Sequence, residues 1–268
     1  MGLMVRVEQN VRVYVNDINP SGKKTIVFLH GWPANYKLFE YQYNILPDMG
    51  YRCVGIDTRG FGDSDKPWSG YSYDRLADDI LRVVRELRLH NVTLLGHSTA
   101  GAVAIRYMAR HNGFGVSKLV LCAAAAPSLI QRPNLPEGQS IEVVNTIIEG
   151  AYRDRAQMLE DFGNIFFYQK VTPALSSWLF QMGLQAGSYS TIAISKDWIT
   201  EELFDDLPKI HVPTLIMHGI HDQVVPYPLA ITQNEGIKDS RLIPFENSGH
   251  GLFYDEMDKF NYELSQFA

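Results

Sequence analysis

Only two cysteines, Cys53 and Cys122, occur in the 268 residues. Neither has a Cys-x-x-Cys or metal-ligand spacing, and each falls in an apolar run that reads as a buried strand. Both are therefore expected to be reduced core residues rather than a disulfide or a metal clasp. Basic charge is also scarce. With a formal net charge of -6, the chain lacks the clustered Lys and Arg that a phosphate backbone requires, which excludes nucleic acid as a partner. No apolar run reaches the roughly 18 residues of a membrane span. The opening Met1-Gly2-Leu3-Met4-Val5-Arg6-Val7 lacks the charged head and long apolar stretch of a secretory signal. The expectation is a cytoplasmic protein without membrane contact. The eight histidines form no His-Glu-x-x-His or related cluster, so no metal is expected. No internal repeat or low-complexity tract is present.

What is present is an ordinary globular composition, 46% hydrophobic and 20% charged, able to bury a sizeable core. The length suits one α/β core with an insertion. Residues 5–15 alternate apolar and polar around Gln9-Asn10, which predicts an N-terminal hairpin. Short apolar runs follow at Thr25 to His30, Arg52 to Asp57, Val92 to Gly96, Lys118 to Ala123, Thr214 to Met217 and Arg241 to Phe245. Separated by helical stretches, they predict buried parallel strands in a doubly wound sheet. Tyr73 to Leu89 places Leu76, Ile80, Val83, Val84 and Leu87 on one helical face, and Ala100 to Arg110 is equally helix-prone. From Pro127 to about Asp206 no strand pattern appears, but aromatics are frequent: Phe162, Phe166, Phe167, Tyr168, Trp178, Phe180, Tyr189 and Trp198. The expected division is a core of residues 1–126 and 207–268 and a helical lid of residues 127–206. Most of the lid aromatics should form its own small core, with some turned to the cleft beneath.

The chemistry concentrates at Gly96-His97-Ser98-Thr99-Ala100-Gly101, which follows one predicted strand and opens a helix. A sharp strand-to-helix turn would project Ser98 Oγ into a cleft and aim the N–H of Thr99 at the reaction centre. Serine is a weak nucleophile until a base takes its proton, and the base needs a third group to hold its tautomer. Asp222 and His250 follow later strands in the required order of serine, acid, histidine. Ser98 is thus the expected nucleophile, His250 the base and Asp222 its orienting carboxylate. Asp57, in Asp57-x-x-Gly60-x-Gly62-x-Ser64, competes as the acid but reads as a structural turn whose carboxylate binds backbone N–H groups. The second oxyanion donor is expected from the N–H of Trp32 in His30-Gly31-Trp32-Pro33, paired with that of Thr99.

These segments resemble the α/β-hydrolase superfamily over essentially the whole chain, and within it the bacterial cofactor-free haloperoxidase, arylesterase and perhydrolase group. The resemblance rests on His30-Gly31-Trp32, Gly50-Tyr51-Arg52, Asp57 to Asp65, Pro67-Trp68, Tyr73 and Ala77-Asp78-Asp79-Ile80. Further matches are the Ser98 elbow, Arg106 to His111, Asp154-Arg155-Ala156-Gln157 and the Asp222 and His250 segments. It implies an α/β-hydrolase fold, a doubly wound and mostly parallel sheet with a helical lid. It also implies hydrolysis of small carboxylic esters without cofactor, with peracid formation as a side activity. The chain departs from that group at Ala100, where glycine is usual, at Thr99, where methionine is frequent, and in the small Ala123-Ala124-Ala125-Ala126-Pro127 run and Leu129. These small residues are expected to widen the pocket. Leu129, Phe162, Val224 and Val225 are expected to line it.

Ser98 excludes the aspartate nucleophile of epoxide hydrolases and haloalkane dehalogenases. Carbon-carbon bond, lactone and amide hydrolases share the same triad. A small-molecule receptor on the same fold is the alternative of another class. The partner is expected to be a small-molecule ester, with homo-oligomerisation left open.

Overall fold

The computed structural model describes residues 2–268. Eight strands form one sheet in the order β1-β2-β4-β3-β5-β6-β7-β8. They are β1 (Gly2–Glu8), β2 (Val11–Ile18), β3 (Lys24–Leu29), β4 (Tyr51–Ile56), β5 (Val92–His97), β6 (Val116–Cys122), β7 (Thr214–Gly219) and β8 (Ser240–Phe245). β1 and β2 form the expected antiparallel hairpin, β2 pairs antiparallel with β4, and every later pairing is parallel. In β2 the valines at 11, 13 and 15 are buried and their neighbours are not, the period of a sheet covered on one face. All six residues of β5 and of β7 are buried, so polar alternation disappears, as happens when both faces are covered. Cys53 in β4 and Cys122 in β6 are fully buried free thiols.

The helices are α1 (Glu40–Tyr43), α2 (Tyr73–Glu86), α3 (Thr99–Arg110), α4 (Ile141–Arg153), α5 (Arg155–Asn164), α6 (Pro173–Gln185), α7 (Ser188–Thr200), α8 (Pro228–Gly236), α9 (Leu252–Asp255) and α10 (Met257–Phe267). Ser72 caps α2 by accepting the N–H of Arg75, and the helix buries Leu76, Ile80, Val83 and Val84, the face that the spacing predicts. Gln42 of α1 ties α9 and α10 together, donating to Phe253 O at 2.9 Å and Asn261 Oδ1 at 3.2 Å.

Strand order decides where a site can form. β3 has β4 on one side and β5 on the other, so the chain leaves the carboxyl ends of β3 and β5 in opposite directions and opens a crevice there. Leu29 and Gly96 lie in register. The segments His30–Trp32 and His97–Thr99 therefore emerge side by side.

Between β6 and β7 the chain runs through α4 to α7, with only isolated bridges (Ile130 with Gln139, Arg132 with Leu135) in place of a strand. Three of these helices begin at a side-chain cap. Ser140, Asp154 and Thr172 accept the N–H groups of Val143, Gln157 and Leu175, each cap contributing about 1 kcal/mol. The Asp154-Arg155-Ala156-Gln157 segment is thus a helix start, and Arg155 also donates to Gly183 O at 2.6 Å and Ala186 O at 3.0 Å, joining α5 to the end of α6. Of the lid aromatics, Trp178 packs on Tyr41 and Tyr189 on Trp68, outside the crevice. Among the described residues no helix is long and apolar enough to cross a membrane.

Candidate active site

Ser98 links β5 to α3 with φ 57° and ψ -126°. This left-handed conformation costs a non-glycine residue on the order of 1–3 kcal/mol. The surroundings hold it there. Ser98 N donates to Cys122 O at 3.0 Å, and Ser98 O accepts from Gly101 N at 2.9 Å and Ala125 N at 3.0 Å. The elbow's close approach falls at Gly101, where a Cβ would collide with Ala124 Cβ. Ala100 carries its methyl without that conflict, which explains how the chain departs from Gly-x-Ser-x-Gly at position 100. The alanine run likewise serves packing more than the pocket. Only Ala125 lines the cavity, while Ala124 abuts Gly101 and the carbonyls of Ala124 and Ala126 accept from Gln233 Nε2 at 2.9 and 2.7 Å. Val143, Val144 and Ile147 of α4 form another wall of the cavity.

Asp222 and His250 lie on loops after β7 and β8. The His250 loop must cross the end of β7 to approach β5, and Gly219 permits it: a Cβ there would strike the carbonyls of Ser248 and Gly249. His97 secures the crossing, its Nε2 lying 3.0 Å from His250 O. His250 Nδ1 is 2.8 Å from Asp222 Oδ2, and both side chains are fully buried. A carboxylate accepts and does not donate, so Nδ1 carries the proton and Nε2 is left bare. His250 Nε2 is buried without a hydrogen-bond partner, so the bond to Ser98 Oγ is not closed in this structure. Such bonds often tighten only with substrate bound.

Asp222 has an unusually complete set of donors. Oδ1 accepts the N–H groups of Val224 at 2.8 Å and Val225 at 2.9 Å. Oδ2 accepts His250 Nδ1 and also faces His218 Nε2 at 3.2 Å. Burial opposes its charge, but the two imidazoles overcome burial and hold the carboxyl well below the usual carboxylate range. Burial, reinforced by the neighbouring His250, pushes the His97 imidazole well below the ordinary histidine value, so His97 is neutral.

The two expected oxyanion donors flank Ser98. Trp32 and Thr99 line one cavity with it, and among the described residues neither backbone N–H donates to a protein acceptor. Trp32 and Pro33 are joined by a cis peptide. Leu129, Phe162, Val224 and Val225 all border the cavity, joined by Val143, Val144, Ile147, Ile165 and Trp198. Its lining includes Gln139 and Gln223 but no charged side chain. Asp57 lies apart from this group. It is fully buried, and its carboxylate accepts Tyr36 N at 2.7 Å and Asp63 N at 2.8 Å, the turn that the sequence predicts.

Three features escaped sequence reasoning. Trp198 of α7 donates its indole N–H to Thr99 Oγ1 at 3.0 Å, while Trp32 donates its own to Thr191 O, also on α7, at 3.1 Å. Helix α7 therefore braces both segments that flank Ser98. Gln139 Nε2 donates to Gln223 O at 2.9 Å and Val224 O at 3.1 Å, joining the lid to the Asp222 loop. His218 is the third. Its only trace in the sequence is a histidine at the end of an apolar strand, four residues before the acid.

Comparison with known proteins settles the kinship. A family profile described as alpha/beta hydrolase fold matches residues 24–257. The chain belongs to the α/β-hydrolase fold family. This hydrolase is similar to the AB hydrolase superfamily protein YisY of Bacillus subtilis, with 46% identity over 100% of this chain and 99% of that protein. The bifunctional esterase/perhydrolase DCH of Acinetobacter calcoaceticus is 31% identical over 98% of each chain. Among solved structures, an esterase from Exiguobacterium antarcticum superposes with a TM-score of 0.97 at 44% identity, covering 100% of this chain and 99% of that one. The resemblance to esterases and perhydrolases that the motifs suggested thus extends over the full length of the hydrolase.

Proposed function

We propose that this hydrolase cleaves small, uncharged carboxylic esters through an acyl-enzyme on Ser98, with His250 as base and Asp222 as its orienting carboxylate. The observations that carry the reading are the bare, buried Nε2 of His250, whose other nitrogen is bonded to Asp222, and a strained serine on the wall of an apolar cavity.

Ser98 Oγ attacks the ester carbonyl as its proton passes to His250 Nε2. The carbonyl oxygen becomes an oxyanion held by the N–H groups of Trp32 and Thr99; losing one such donor typically costs about 10² to 10³ in rate. The imidazolium, stabilised by Asp222, then protonates the departing alcohol. Water, deprotonated by His250, attacks the acyl-serine and releases the acid. Hydrogen peroxide in place of water gives the peracid and free Ser98, with no change of oxidation state at the acyl carbon. The similarity to an esterase/perhydrolase and the Trp32-Pro33 segment favour this as a side activity.

An acyl group enters a cavity of aliphatic and aromatic walls without a charged partner, so a carboxylate or ammonium on the acyl chain would be desolvated unpaired. A panel of 4-nitrophenyl and 1-naphthyl esters of rising acyl length tests the reading. Sustained turnover is expected, independent of chelator and lowered by at least about 10³ in Ser98→Ala. A single turnover without release of the acid, or full activity in Ser98→Ala, contradicts it; the former favours a receptor.

A further inference from the structure

Asp222 serves two histidines through one oxygen. His218, in β7, is fully buried, and its Nε2 lies 2.9 Å from Val225 O and 3.2 Å from Asp222 Oδ2. Both neighbours are acceptors, so Nε2 must carry the proton, bonded to Val225 O with Asp222 Oδ2 close enough to feel it; a bare Nε2 would set three lone pairs against one another. His218 Nδ1 is buried without a partner, so a proton there would be an orphaned donor. Nε2 thus lies within 3.2 Å of the same carboxylate oxygen that holds His250 Nδ1.

We propose that His218 is a positioning residue for the reaction: its N–H fixes the rotamer of Asp222 and draws off part of the charge on Oδ2, which limits how strongly Asp222 favours the imidazolium of His250. The inference rests on the acyl-transfer reading above. Asp222 is an acceptor for both rings, and without the His218 N–H its undiluted charge would hold a proton on His250 to higher pH. His218 does not line the substrate cavity, so substrate binding is untouched.

Other titratable groups around this cluster come from several elements: His97 from β5, its ring 4.6 Å from that of His250, and Cys122 from β6, which is charge-coupled to Asp222. Tyr227 packs edge-on against His218 at 5.8 Å. Asp255 accepts Gly249 N at 2.8 Å and Glu256 accepts Ser248 Oγ at 2.6 Å, on the loop that carries His250. Buried Cys122 has its thiol pushed well above the ordinary value and stays protonated, and His97 stays neutral. Neither can mimic the effect of His218.

The test compares kcat and KM for 4-nitrophenyl butyrate against pH in the wild type, His218→Leu and His218→Gln. The leucine variant is expected to lose about tenfold in kcat at unchanged KM, and the acid limb of its kcat/KM profile should move up by about half a unit or more. Glutamine, which retains an N–H at this reach, should restore the wild-type limb. A part confined to closing the 218–225 turn through Val225 O predicts lost stability with the limb unmoved in both variants, and that result overturns the proposal. If the leucine variant does not fold, nitrogen NMR of the wild-type imidazoles decides. His218 is expected as the Nε2–H tautomer, and the Nδ1–H tautomer overturns the proposal. Absence of ester turnover in the wild type would sink the functional reading instead, with the tautomer still deciding the place of His218.

Discussion

Two buried aspartates, Asp57 after β4 and Asp222 after β7, present the same groups to the protein and behave in opposite ways. Each carboxylate accepts two backbone N–H groups of its own or a neighbouring turn. Burial pushes Asp57 up to about 7 against those two bonds. Burial acts on Asp222 in the same direction, but His250 and His218 reverse it. Two amides are enough to seat a buried carboxylate in a turn, whereas keeping it charged takes the imidazoles as well. Under the proposed mechanism, the one that stays charged is the one that would stabilise the imidazolium of His250.

The sharpest way to break this comparison is to neutralise each carboxylate in turn. Asp222→Asn is expected to lower kcat by about 10⁴, because the amide no longer enforces the tautomer with a bare Nε2. Asp57→Asn should leave the shape of the pH–rate profile in place. Steady-state kinetics on a 4-nitrophenyl ester decides it; comparable losses in both would mean that Asp57 shares the catalytic role.

Displacing the base from its acid comes next. Gly219→Ala drives a methyl into the carbonyls over which the His250 loop crosses, and a misplacement of about 1 Å is expected to cost roughly 10² in kcat with folding preserved. Unchanged kcat in a variant shown by circular dichroism to be folded would mean that the crossing has slack.

A smaller effect is expected on the nucleophile side. Trp198→Phe keeps the ring but deletes the donor to Thr99 Oγ1, so kcat should fall by about three- to tenfold, the scale of one neutral hydrogen bond. Thr99→Val should match it, and the double variant should lose no more than either alone. Additive losses would show that Trp198 acts by packing, for instance through its edge-on contact with Trp32 at 5.0 Å.

The gentlest discriminator is stability against pH. Because the folded state lowers the Asp222 carboxyl, the stability it contributes is present above the unfolded carboxylate range and is lost as pH falls below it. Asp57 is raised from 3.8 to about 7, so the folded state binds its proton more tightly and stability declines as pH rises across that window. Thermal unfolding should therefore show Asp222→Asn furthest below the wild type at pH 7, with the gap closing in acid. Asp57→Asn should gain on the wild type between pH 4 and 7. Parallel curves would show that the two carboxylates do not differ in charge.

Much of this was legible in the chain. The parallel strands announce themselves as apolar runs because both sheet faces are covered, and Gly96 to Gly101 marks the elbow because only small residues fit where α3 returns against β6. Chain order pointed to Asp222, and the glycine-rich turn after Asp57 marked that carboxylate as structural. The rest depends on contacts between residues far apart in sequence. Trp198 meets Thr99 and Gln139 meets Gln223 only once the lid is folded over the sheet. His218 looked like one more strand residue because its partnership with Asp222 depends on how the 218–225 turn closes. The wall that α4 adds to the cavity through Val143, Val144 and Ile147 was hidden too, since no local pattern specifies where that helix lies.

The most direct test of the account is to treat the wild type and Ser98→Ala with diethyl 4-nitrophenyl phosphate and to map the adduct by mass spectrometry. One diethylphosphoryl group on Ser98, formed in step with loss of esterase activity and absent from the variant, is the result the account predicts. Inactivation with the label on another residue, or an unlabelled Ser98 in an enzyme that turns over esters, would contradict it.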